Sequence, residues 1–125
     1  MALILVVDDS PTVGSTVQWI LHNQGHRVQV VRDGLAALSA LSLKVPDLIL
    51  LDIRLPNIDG VKLCGMIRSN SRLAKVPIVM LSGFSGEDSI QRAFEAGAND
   101  YMVKPVHDDT LLRIVNEQLV RDPAV

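Results

Sequence analysis

Five short apolar runs punctuate the chain, at residues 3–7, 28–31, 48–51, 78–81 and 101–103, and stretches with helical spacing separate them. Most are rich in Val, Ile or Leu, as strands buried on both faces must be, because neither side meets water. Between the first two runs, Ser10 can cap a helix with Pro11 in its first position. Val17, Ile20 and Leu21 then face inward, and Gly25 closes the segment. Leu35, Leu38 and Leu41 mark a second helix, and Val61, Cys64 and Ile67 a third. Ile90, Ala93, Phe94 and Gly97 keep helical spacing in a fourth, as do Leu111, Ile114, Val115 and Leu119 in the last. A strand–helix unit repeated in this way predicts an α/β fold of parallel strands, right-handed crossovers and helices on both sheet faces. At 125 residues and 48% hydrophobic content, one core and one domain are expected.

In an open parallel sheet, ligands bind beyond the carboxyl ends of the strands, where the strand order reverses. The first run ends in Asp8 and Asp9, the third in Asp52, the fourth in Ser82 and the fifth in Lys104-Pro105. In the doubly wound order 2-1-3-4-5, strands one and three are neighbours at that reversal, and the three carboxylates converge. Like charges in a poorly solvated place resist ionisation, and a hard divalent cation with oxygen ligands relieves them. Mg2+ suits a small, partly exposed cluster, because it keeps several waters and takes one or two carboxylates beside a phosphoryl oxygen. Asp9 and Asp8 can divide the work, one on the metal and one on its water. Asp52 then reads as a nucleophile, Lys104 as fixed positive charge and Ser82 as a hydroxyl donor for a phosphoryl group.

The net charge of -2, with no cluster of Lys and Arg, argues against nucleic acid or an anionic membrane as direct partner. Residues 1–7 are apolar but lack a basic leader and are too short to span a bilayer, so a cytoplasmic location is expected. Cys64, in an apolar helical pattern, reads as a buried inert thiol. His22, His26 and His107 read as solvated surface, and Trp19 as helix packing or surface.

The segments VVDDS, LLDIRLPNIDG, MLSG and AGANDYMVKP, in this order at successive strand ends, closely resemble the receiver domains of two-component response regulators, across nearly the whole chain. The resemblance implies a flavodoxin-like (βα)5 fold, with residues 1–121 as the receiver and 122–125 as a tail or the start of a linker. It implies that Asp52 accepts a phosphoryl group from a phosphohistidine on a sensor histidine kinase or phosphotransfer protein. Mg2+ would be held by Asp9, Asp52 and the backbone carbonyl of Arg54, with Asp8 acting through water. Lys104 would pair with a phosphoryl oxygen, aimed by a cis peptide bond before Pro105. Ser82 and Tyr101 match a switch pair whose movement alters the face around the fourth helix and fifth strand.

Other positions bear on kinetics: Arg54 lies near the path of attacking water, and Gly83 leaves the site accessible. Gly60 and Gly97 read as turn and helix-end residues, needed for backbone rather than chemistry. The implied role is a signalling switch, not an enzyme that turns over a free substrate, controlling a downstream effector protein or an output domain. Dimerisation through the fourth and fifth helices is a further implication. Pro123 reads as a helix stop, and the short remainder after the last helix suggests signalling by protein contact or a cut from a longer regulator. A haloacid dehalogenase-type phosphatase would need an aspartate where Arg54 stands. A flavodoxin would place its cofactor phosphate where Asp8 and Asp9 repel it. The alternative within the fold is a phosphorylation-independent binding module.

Overall fold

The computed structural model describes residues 1–83 and 86–120. Among the described residues ten elements alternate strictly: β1 Leu3–Val7, α1 Pro11–His22, β2 Arg27–Val31, α2 Gly34–Leu43, β3 Leu48–Asp52, α3 Gly60–Ser69, β4 Ile78–Ser82, α4 Glu87–Glu95, β5 Asp100–Val103 and α5 Asp108–Leu119. The strands form one parallel sheet in the order β2-β1-β3-β4-β5, the flavodoxin-like topology expected from the alternation. The expected tail at 122–125, the boundary at 121 and the helix stop at Pro123 lie outside the described residues.

The expectation that all strands are buried on both faces holds for only part of the sheet. β3 and β4 are buried along their whole length, and β1 at every residue but Leu3. β2 and β5 are the sheet edges, and only Met102 among their residues is buried. An edge strand has one covered flank, so polar Arg27, Gln29 and Asp100 are tolerated there. The helices divide between the two faces. α2, α3 and α4 cover Leu5, Val7, Ile49, Leu51, Ile78 and Met80, whereas α1 and α5 cover Ile4, Val6, Leu48, Leu50, Val79 and Leu81.

The starts of α1, α2 and α3 are set by short polar side chains that occupy otherwise unbonded backbone donors. Ser10 Oγ accepts from the Val13 N–H, Asp33 Oδ1 from the Ala36 N–H and Asp59 Oδ1 from the Lys62 N–H. Pro11 follows the first cap, as its sequence position predicts. Gly25 and Gly97 close α1 and α4 at φ of +88° and +113°, a region costly for any side chain bearing Cβ. Leu35, Phe94 and His26 depart from their expected surroundings, whereas Trp19 takes one of its two expected places. Leu35 and Phe94, placed by spacing among the helix-marking apolar residues, are exposed, and Trp19 lies on the surface. His26, expected to be solvated, is half-buried; its Nδ1 accepts from the Ala2 N–H, and burial lowers its pKa. Cys64 is buried, and burial raises the pKa of its thiol.

Candidate functional site

The β1–β3 ladder pairs Val7 with Leu51, so the next residues along each strand, Asp8 and Asp52, emerge side by side. β4 and β5 pair Ser82 with Val103, and the Lys104 N–H donates to the Ser82 carbonyl at 2.7 Å, which carries Lys104 to the same end of the sheet. Its Nζ lies 2.9 Å from Asp8 Oδ2 and 3.3 Å from Asp52 Oδ2. Asp8, Asp9 and Asp52 each present an oxygen, and these atoms lie within 4.8 Å of one another. The peptide bond between Lys104 and Pro105 is cis, as expected.

Each buried carboxylate also has a backbone anchor. Asp8 Oδ1 accepts from the Ser10 N–H at 2.9 Å, and Asp52 Oδ1 accepts from the Arg54 N–H at 3.2 Å. Burial raises the pKa of Asp52, and the neighbouring charge of Asp8 raises it further; Lys104 and the Arg54 N–H oppose them without cancelling. Burial pulls Lys104 the other way, but its bonds and charge contacts with Asp8 and Asp52 prevail and hold its ammonium above the ordinary lysine value. One cation therefore stands between two carboxylates, leaving excess negative charge. Asp9 is exposed, so the third carboxylate faces the solvent side of the cluster. Three hard oxygen donors, two fixed by backbone N–H groups and one open to water, fit a small divalent cation.

Residues 4–116 match the response regulator receiver domain family. The chain belongs to that family. It is 37% identical over 119 residues to the DNA-binding response regulator MtrA of Mycolicibacterium smegmatis, covering 95% of this chain and 51% of that protein. It is also 37% identical to the DNA-binding dual master transcriptional regulator RpaA of Synechocystis, over 97% of this chain and 50% of that protein. The chain thus spans about half the length of these curated relatives. Among solved structures, a response regulator from Chloroflexus aurantiacus superposes with a TM-score of 0.93 at 34% identity, covering 96% of this chain and 98% of that one. The receiver domain of sensor histidine kinase PA1611 from Pseudomonas aeruginosa, solved with magnesium in its active-site cleft, matches with a TM-score of 0.89 at 32% identity, covering 96% and 98% of the two chains. The family is one of two-component signalling switches and not of classical enzymes. No helix among the described residues is long and apolar enough to cross a membrane.

The receiver places Ser82 at the end of β4, buried beside the acidic end of β3. Tyr101 is half-buried and packs on the core under α2, α3 and α4, paired across the ladder with Met80. Arg54 is exposed, and Gly83 has open space where a side chain would project. Two features of the site are not visible in the sequence. Arg92 of α4 lines a cavity of about 710 Å3 beside Asp9 and Arg54, and a lone arginine in a helical pattern carries no mark of that placement. Gly60 reads as a turn residue, yet its constraint is close approach. A Cβ there would stand 2.1 Å from the Asp52 carbonyl oxygen, while its own N–H donates to the Ile53 carbonyl at 2.7 Å. A second cavity, of about 800 Å3, lies away from the acidic cluster and is lined by His26, Asp47, Arg68 and Asn99.

Proposed function

We infer that this receiver is a phosphorylation-activated switch whose acceptor is Asp52, with a phosphohistidine on a sensor histidine kinase or phosphotransfer protein as donor. The observation that carries this reading is Lys104 Nζ at 2.9 and 3.3 Å from two carboxylates whose cluster fits a divalent cation. An Asp52 carboxylate oxygen attacks the phosphorus, the P–N bond breaks, and the imidazole leaves with its electron pair and takes up a proton. Asp9, Asp52 and the Arg54 carbonyl would hold Mg2+, with Asp8 acting through water. The ion would supply positive charge against the transferring phosphoryl oxygens.

The chain's own groups do the rest. Lys104, kept protonated by its acidic neighbours, meets a phosphoryl oxygen as Asp52 exchanges one negative charge for a dianionic group. The Ser82 hydroxyl donates to another. Tyr101, half-buried on β5, then repacks, and the surface made by α4, β5 and α5 shifts toward the form read by an effector protein or an output domain. The length of the curated relatives, about twice that of this chain, supports an output domain as one route.

The test is intact-protein mass after incubation with acetyl phosphate, with and without Mg2+, for the wild type and Asp52→Asn. A metal-dependent gain of one phosphoryl mass, absent in the variant, is expected. No gain under any condition would replace this reading with a phosphorylation-independent binding module.

A further inference from the structure

α2 carries no charge on any side, although it lies on the surface. Its sequence, GLAALSALSL, holds no charged residue and two serines. The Ser42 hydroxyl donates to the Ser39 carbonyl at 2.7 Å, so one of the two is satisfied within the helix. Ala37 and Leu41 face the core, yet Leu35 is 56% exposed and Leu43 87% exposed. An amphipathic surface helix turns charge toward water, and this one turns leucine.

Three of the four exposed residues form one ridge, and the fourth, Ser42, lies beside it. Leu35, Ser39 and Leu43 are spaced by four, with the small Ala36 and Ala40 along the flank. Ridges of this spacing pack into one another when two helices cross at about 50°. The ridge is symmetric about its middle, with a large residue at each end and a small one at the centre. It is therefore self-complementary under a two-fold axis through Ser39, which sets Leu35 of one copy near Leu43 of the other.

The charges at the helix ends obey the same symmetry. Arg32 and Asp33 precede α2, and Lys44 and Asp47 follow it; none of the four makes an ion pair within the chain among the described residues, although Asp33 Oδ1 accepts from the Ala36 N–H and Asp47 Oδ2 from the Leu3 N–H. Antiparallel pairing brings Asp33 to Lys44 and Arg32 to Asp47 across the axis, and it opposes the two helix dipoles. A parallel arrangement would stack like ends on like.

We propose that the α2 face is an isologous docking surface for a second copy of this receiver, antiparallel about Ser39. A single helix pair buries an area at the small end of specific interfaces, below about 1,200 Å2 in total, so the dimer is weak and reversible. Sedimentation velocity over rising protein concentration, into the millimolar range, should show the average sedimentation coefficient climbing toward a dimer. Leu43→Glu, at a largely exposed position, should keep the native circular dichroism and remain monomeric throughout.

The geometry has its own test in Ser39→Cys, which places two thiols at the axis, with Ser69→Cys at an exposed position of α3 as control. Under mild oxidation the first should form a covalent dimer at least about tenfold faster than the second, because only paired cysteines sit within disulfide range. A monomer at every concentration, a dimer unaffected by Leu43→Glu, or equal cross-linking of the two cysteine variants would each overturn the proposal. None of these readouts involves Asp52, so their failure is distinguishable from failure of the switch.

Discussion

Gly60 presses against the backbone of Asp52 so closely that a side-chain carbon would stand 2.1 Å from its carbonyl oxygen and 2.7 Å from the Cα of Ile53. Both obstacles are main chain at the end of a buried strand, and neither can swing aside. Gly60→Ala should therefore push α3 away from β3, cost about 2–4 kcal/mol in urea unfolding and slow phosphoryl acceptance at Asp52. Gly65, in the same helix, supplies the contrast, because a side-chain carbon there would meet nothing within 4 Å. Gly65→Ala should stabilise by about 0.5–1 kcal/mol and leave acceptance unchanged.

Without metal, Asp52 works against the fold. Burial, and after it the charge of Asp8, raises its pKa above the ordinary 3.8. As pH rises past 3.8, the unfolded chain releases this proton first, so the native state loses stability until the folded group also ionises. Asp52→Asn removes that penalty and keeps an acceptor for the Arg54 N–H. In chelator, the variant should be more stable than the wild type at pH 7, with the gap closing as pH falls below the unfolded value. Equal stability at both pH values would contradict this account of the charge cluster.

Lys104 is the counter-cation of a wholly buried Asp8 side chain, at 2.9 Å. Lys104→Met leaves Asp8 and Asp52 without it and should lower metal-free stability by about 2–4 kcal/mol. The same two carboxylates face the proposed Mg2+, Asp52 directly and Asp8 through water, so the variant should gain more in melting temperature on adding Mg2+ than the wild type does. Thermal unfolding of both proteins with and without the ion reads this directly.

Arg68 is a half-buried cation held by oxygen acceptors alone. Its Nε donates to the Gly97 carbonyl at 2.8 Å, one terminal nitrogen donates to the Val76 carbonyl at 2.7 Å, and the other donates to Asn99 Oδ1 at 2.7 Å. It ties α3 to the segments leading into β4 and β5 and to the end of α4, with Gly97 pressed on its side chain. Arg68→Ala should cost about 3 kcal/mol in urea unfolding, and Arg68→Lys should recover little, because an ammonium cannot reach three separated acceptors.

The fold was legible because parallel strands announce themselves. β3 and β4 need unbroken apolar runs, and residues 48–51 and 78–81 supply them. The edges were less clear, since β2 and β5 mix exposed and half-buried positions whose identity does not reveal which flank is covered. Leu35 and Phe94 fit the helical spacing and still face outward, because period alone does not say how wide a stripe the sheet covers.

By itself the sequence determined the strand–helix alternation, the Ser10 cap of α1 and the polar residue at the end of every strand but the second, because these depend on local backbone preference and on residue type. Only the tertiary structure decided that Lys104 stands between Asp8 and Asp52, that Gly60 has no room for a side chain, that Arg68 binds three elements together and that α2 offers leucine to solvent. Those relationships join residues far apart in the chain, and their distances exist only once the sheet has set the register that brings them together.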